Sequence, residues 1–435
     1  MRARLVSLVA PLLLAACYDS SSVDSPDGQT ITVTDTPVDK PVEDVKSPLP
    51  PANLDEASKF AISNNAFGFD LYKQVATSPG NLAMSPTSLS VALAMTWGGA
   101  KGATSEEMKK VLHFDGTPAD VMIQSGKMVS SLEKNEDLKV TFANRLFGEH
   151  SYSFEEPFLA ATKNAYGASL DPVDFIRSHE AARARINGWV EGKTEKRIKN
   201  LVPEGGVDGD TRLVLVNALY FLADWQTPFD KMYTHDATFR VSSKDSKVVP
   251  MMHNEHGFKY GEVDNAKLLE LPYKGGNMSM LLALPNDVDG LAALEAQLSS
   301  AKLGEWTKGM QQKTVAVALP KFEINPQGSL SLGDALRAMG MPLAFTHDAD
   351  FTGMANPPSA DDRLFISRVF HKAFVKVDEK GTEAAAASAV VMAVESAAAV
   401  PMAKFEADHP FVFMIRDNRT GLVLFMGRVA DPSVK

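Results

Sequence analysis

Cysteine is almost absent from this chain: Cys17 is the only one in 435 residues. No intramolecular disulfide can form, so stability must come from packing. The common catalytic signatures are missing too. There is no GxSxG elbow, no P-loop, no GxGxxG after a strand and no HExxH. Positive charge is in deficit, with 44 Lys and Arg against 54 Asp and Glu and a formal net charge of −10. That balance argues against nucleic acid as a partner. The densest basic stretch, KTEKRIK from Lys193 to Lys199, contains a glutamate and reads as a solvated helix end. MMHNEHGF places His253 and Glu255 beside His256, but on a strand the two histidines point to opposite faces. Asp348 and Asp350 in THDADFTG read as a turn. Catalysis is left without a candidate, and neither a metal nor a cofactor is expected.

What is present begins with an export signal. MRARLVSLVAPLLLAAC sets two arginines before an apolar stretch that falls short of the ~20 residues a membrane-spanning helix needs. This is the layout of a signal peptide over residues 1–16. Leu14-Ala15-Ala16-Cys17 resembles a bacterial lipobox, in which the cysteine becomes an acylated N-terminus. Cys17 would then anchor an exported lipoprotein in the outer membrane, facing the periplasm or the exterior. Plain secretion after an A-x-A-like site is the competing reading. Residues 17–52, rich in Ser, Asp, Thr and Pro without an apolar period, read as a disordered tether.

From Asn53 to Lys435 the pattern is globular, with 45% of the whole chain hydrophobic and 23% charged. Length alone suggests two domains, because single cores stop growing near ~250–300 residues. NLDEASKFAISNNAFGFDLYKQV carries Phe60, Phe67 and Leu71 at helical spacing. Ser85-Pro86 opens a second helix, serine as cap and proline in the first turn. Further helices are expected around His179–Gly192 and Val288–Leu298. Strand-like runs start at Val140, Thr211, Met278, Lys313, His371, His409 and Leu422. Helices and strands are partly segregated, so an α+β class with largely antiparallel sheets fits best.

One stretch is harder to assign. Gly381–Val394 reads GTEAAAASAVVMAV, and eleven residues after Glu383 carry no charge, proline or glycine. It could be an alanine-rich helix, a buried strand, or a segment exposed first and buried later. Exposed on an edge, such a run invites aggregation.

FEADHPFVFMI at Phe405–Ile415 resembles the signature of the serpins, a family of serine protease inhibitors. The resemblance extends from about Asn53 to Pro432, through NLAMSPTSLSVALAMTWGGAKGATSEEM, RINGWVEGKTEKRIKNLVP, LVLVNALYFLADWQTPFD and HKAFVKVDEKGTEAAAASAV. It implies one domain over 53–435: about nine helices around three mainly antiparallel sheets, with an exposed reactive-centre loop. It also implies a monomeric suicide inhibitor rather than an enzyme. A serine endopeptidase, or a cysteine protease, cuts the loop, and the loop then enters the main sheet carrying the acylated protease. A non-inhibitory carrier is the alternative.

Roles follow from the same resemblance. Gly381, Thr382, Glu383, Ala384, Ala385, Ala386 and Ala387 form the hinge, with Thr382 the first side chain to enter the sheet after cleavage. Trp225, Lys321 and Glu379 mark the breach, with Lys321 and Glu379 paired. Ser85, Ser88, Asn217 and His371 form the shutter under the sheet's centre. Family spacing sets the scissile bond at Glu395–Ser396, with Val394 and Met392 as alternative cut positions. Glutamate suits a glutamyl endopeptidase, whereas the small apolar neighbours suit elastase- and subtilisin-like enzymes. With period two, Thr382, Ala384, Ala386, Ser388, Val390 and Met392 share one uncharged face. About ten new strand residues at ~1 kcal/mol net per hydrogen bond would release on the order of 10 kcal/mol. That rivals the ~5–15 kcal/mol stability of a whole domain, so the uncut state must be kinetically trapped.

Overall fold

Asn53 opens the first helix. Its side chain accepts from the Glu56 amide, and the Glu56 carboxylate accepts from the Asn53 amide, both at 3.0 Å. The two orphan donors of the first turn are thereby satisfied. The computed structural model describes residues 49–382 and 402–434, all within one compact unit, Pro41–Lys435. In it the first helix is α1 (Leu54–Val75), with Phe60, Phe67 and Leu71 buried. Ser85 caps α2 (Pro86–Trp97) by accepting from the Ser88 amide. The helical pattern breaks at Gly98-Gly99 and resumes as α3 (Gly102–Val111). The others are α4 (Pro118–Glu133), α5 (Glu156–Tyr166), α6 (Phe175–Lys193), α7 (Leu291–Gln297), α8 (Ser300–Gly309) and α9 (Gly333–Met339).

The strands are β1 (Leu82–Met84), β2 (Lys139–Glu149), β3 (Leu170–Val173), β4 (Leu213–Asp224), β5 (His235–Arg240) and β6 (Ser246–Val263). Next come β7 (Ala266–Pro272), β8 (Met278–Pro285), β9 (Gln311–Pro320), β10 (Phe322–Ile324), β11 (Leu330–Ser331) and β12 (Phe370–His371). The last are β13 (Val375–Val377), β14 (Gly381–Thr382), β15 (Ala403–Glu406), β16 (Phe411–Asp417) and β17 (Val423–Val429). They form a nine-stranded sheet in the order β1-β17-β16-β8-β7-β6-β9-β15 with β5 beside β6, a six-stranded sheet β10-β13-β14-β4-β2-β3, and the pair β11-β12. All pairings are antiparallel except β2 with β3 and β15 with β9. Nine helices and three sheets among the described residues make this the α+β fold expected from the sequence.

Period-two alternation sorts the six-stranded sheet into two faces. Val140, Phe142, Leu219, Phe221 and Ala223 belong to the main core. Ala143, Phe147, Val216 and Ala218 face the other way, against Phe175, Ala182, Ile186 and Val190 of α6. Helix α6 is thus laid across the sheet. KTEKRIK starts on the last residue of α6, with Glu195, Lys196 and Arg197 exposed beyond it. Among the described residues no helix is long and apolar enough to cross a membrane.

Candidate functional site

The chain turns sharply after β13. The Asp378 amide donates to the Gly381 carbonyl at 3.0 Å, and residues 381–382 return as β14, seated between β13 and β4. Thr382 is paired with Val377 on one side and Ala223 on the other. This corrects the expectation that Thr382 enters only after cleavage. It is already in the sheet of the intact chain and only 2% exposed. The physical reason is a hydroxyl partner: Thr382 Oγ1 lies 2.6 Å from the Tyr273 hydroxyl. A Cβ on Gly381 would meet the Ala223 carbonyl oxygen at 2.0 Å. Glycine is therefore required here for close approach, since Gly381 has no positive φ.

Around this hairpin the other breach residues converge. Trp225 forms an isolated antiparallel bridge with Tyr273. The two rings stack at 4.6 Å and 6°, and the Trp225 indole N–H donates to the Asp378 carbonyl at 3.0 Å. Lys321 Nζ reaches both carboxylate oxygens of Glu379, at 3.0 and 2.9 Å, and Thr234 Oγ1 adds a third donor at 3.1 Å. Burial pushes the Glu379 carboxyl up, but the Lys321 ammonium and the other donors outweigh it and hold it below the usual range.

The four shutter residues also meet. The Ser85 amide donates to His371 Nε2 at 2.9 Å and its hydroxyl to the Leu424 carbonyl at 2.7 Å. The Ser88 hydroxyl donates to Asn217 Oδ1, and Asn217 Nδ2 to Asn144 Oδ1. Since His371 Nε2 accepts, the ring is neutral with its proton on Nδ1. Burial lowers its pKa to about 4, which keeps it so.

Below β14 the two flanking strands part. A cleft of about 310 Å³ runs between Leu213–Asn217 of β4 and Arg363–His371, floored by Ser88, Ala92 and Thr96 of α2. The connection from α6 to β4 is tied to α6 on one side and to the Arg363–His371 side of the cleft on the other. Asn187 of α6 bonds the Val202 carbonyl and amide, each at 2.9 Å. Opposite, the buried Lys372 ammonium donates to the Lys199 carbonyl at 2.9 Å and the Gln327 carbonyl at 3.2 Å, and Arg368 reaches the Gly205 carbonyl. Burial lowers the Lys372 pKa.

Tyr273, Asn144 and Lys372 were not singled out from the sequence. Asn144 carried a signal: an amide inside VTFANRLF, on the same face as Phe142. It lies opposite Asn217 in register. Tyr273 gave only a weak one, an aromatic hydroxyl between a buried strand and a glycine turn. Cys17, Glu383, Ala384, Ala385, Ala386, Ala387, Met392, Val394, Glu395 and Ser396 lie outside the described residues. His253 and His256 both lie on β6. His253 stacks on His235 at 4.3 Å, and His256 tilts against Phe258. Asp350 accepts from the Thr352 amide and hydroxyl in a turn. Side-chain ligand atoms of Glu149, His150 and Asp174 come within 4.8 Å of one another. Glu149 accepts from the Phe175 and Ile176 amides, which makes it a support for the start of α6.

The chain as a whole is similar to known proteins. The family model for serpins (serine protease inhibitors) matches residues 62–432. The chain is 42% identical over 385 residues to the leukocyte elastase inhibitor of Sus scrofa, covering 86% of this chain and all of that one. It is 40% identical over 391 residues to serpin B3 of Homo sapiens, covering 85% and 98%. Among solved structures, Serpin48 of Tenebrio molitor superposes with a TM-score of 0.76 at 35% identity, over 86% of this chain and 98% of that one. The chain belongs to the serpin family, whose named relatives here are protease inhibitors rather than catalysts.

Proposed function

We propose that the chain traps serine endopeptidases by inserting its cut loop into the six-stranded sheet. The observation that carries this reading is the ladder begun by β14. Thr382 faces Ala223 and Val377. In an antiparallel ladder each further loop residue meets the preceding residue on both neighbours. Six steps on, Ser388 falls opposite Asn217 and His371 together, the two shutter residues on facing strands. Continued insertion would fill the cleft with the following residues, up to the neighbourhood of Glu395. The core-facing set would be Ala384, Ala386, Ser388, Val390 and Met392, uncharged throughout. A polar serine would meet the polar cluster, and apolar residues the apolar banks below it.

The acylated protease would be carried along and distorted before water can hydrolyse the ester. The bait favours a cut at Glu395–Ser396 or the adjacent small apolar residues. Resemblance to an elastase inhibitor supports elastase-like enzymes, beside subtilisin-like and glutamyl-specific ones. The test is to incubate the protein with one protease of each kind and run a denaturing gel. A covalent complex supports the reading; cleavage without complex with all three overturns it in favour of a carrier. The Cys17 pattern further supports an exported protein held to a membrane by lipid. Cys17→Ser should release it from the membrane fraction or stall its processing, and unchanged fractionation and processing would exclude the anchor.

A further inference from the structure

We infer that the Tyr273 hydroxyl is a latch that seats the root of the loop before any protease arrives. By supplying the nucleus for insertion, it would set how often the reaction ends in a trapped complex. This rests on the inhibitory reading above. Tyr273 is not a strand of the sheet it serves. It follows β7 of the nine-stranded sheet and is fixed there by its own amide, which donates to the Met278 carbonyl at 2.9 Å. The stack on Trp225 and an edge contact with Phe221, centroids 5.3 Å apart, hold the ring from two sides.

The ring is fully buried, and among the described residues its hydroxyl has Thr382 as hydrogen-bond partner. If Thr382 left the sheet, a buried phenol would lose that partner, which a dry core penalises. The hydroxyl pair therefore favours the seated hinge. A seated hinge matters because closing the first register is the unfavourable step. Each later residue extends an existing ladder without a new closure, so insertion becomes a zipper starting at position 383. Thr382 supplies the hydroxyl on one side and Tyr273 on the other; neither touches the protease. Tyr273 is a positioning residue.

The experiment compares the parent with Tyr273→Phe, Thr382→Val and Thr382→Ser. Two quantities are read against a protease that the parent traps. Expected for Tyr273→Phe and Thr382→Val is a ratio of cleaved inhibitor to covalent complex raised roughly two- to tenfold, the range one neutral hydrogen bond gives. The second-order rate of protease association should stay within about twofold, because the bait is unchanged. Thr382→Ser keeps a hydroxyl and should retain the parental ratio. A second arm uses no protease: hydrogen exchange of the Thr382 amide should quicken in Tyr273→Phe. Parental partition and parental exchange in Tyr273→Phe, or a shift toward complex, would overturn the latch. A parent that traps no protease defeats the inhibitory reading instead, while the exchange arm still reports on the latch.

Discussion

The same two strands look different at their two ends. Near Asp224, β4 and the strand ending at Val377 are joined by β14, and the side chains behind them, Phe221, Ala223, Trp225 and Tyr273, are buried with their polar atoms paired. Near Leu213 the strands stand apart across the cleft, and Leu213, Val214 and Leu215 are only half-buried. Two residues of the loop account for the closed end. On the inhibitory reading proposed above, the sheet would be partway along a path whose remaining steps repeat the first. Stability is concentrated where the ladder is complete and is missing where it is not.

The comparison breaks or sharpens under four tests. The largest effect is expected from filling the open end. A cut near residue 395 should raise the unfolding midpoint by about 10–15 °C, given on the order of 10 kcal/mol of new pairing spread over the unfolding entropy of a domain this large. Calorimetry of intact and nicked protein decides this, and equal midpoints would mean that the cleft does not take the loop. Next comes a charge forced into the closed end. Thr382→Arg should cost the intact protein about 3–5 kcal/mol in denaturant unfolding. Phe365→Ala on the open bank, where Phe365 is 37% exposed, should cost no more than about 1 kcal/mol. Equal costs would erase the distinction between the ends.

The third test titrates the boundary between them. His371 is held at about 4 in the folded state, against ~6.5 when unfolded. Between these values the unfolded chain binds the extra proton. The stabilising contribution is complete above pH ~6.5 and is lost as pH falls toward 4, by about 3 kcal/mol in total. Unfolding measured from pH 7 to 4.5 should show this slope, and His371→Gln should flatten it. A variant with the parental slope would assign the acid sensitivity elsewhere. The smallest effect is at the rim of the closed end. Glu379→Gln removes the charge from a buried carboxylate but leaves a half-exposed Lys321 free to find water, so a loss of about 1–2 kcal/mol is expected. No measurable change would mean that the pair only decorates the breach.

Much of this architecture was legible because its signals are local or periodic. Ser85-Pro86 announces a helix start wherever it occurs. The alternation in LVLVNALYFL marks a strand with two buried faces. The breach and shutter residues were carried by resemblance, and the geometry now gives their contacts. What sequence did not supply was depth of insertion. Nothing in GTEAA says that Gly381 and Thr382 are already seated in the sheet, because that seating rests on Ala223 and Tyr273, more than a hundred positions away in the chain. Asn144 was missed for a similar reason. Its meaning comes from lying opposite Asn217, and register between strands so far apart in sequence is not written in either strand alone. The strand β6 was read only as a histidine-bearing fragment, since its polar middle hides an 18-residue element.

The order of the nine-stranded sheet fixes what becomes of the chain downstream of the cut. β16 lies between β17 and β8, β17 lies between β1 and β16, and every residue of both strands is buried. A break near residue 395 therefore severs the backbone without freeing a fragment. The product would be two polypeptides that elute from a sizing column at the mass of one and separate only in denaturant. The short piece cannot be washed out, because removing it would mean dissolving the hydrophobic centre around Phe411, Phe413 and Phe425.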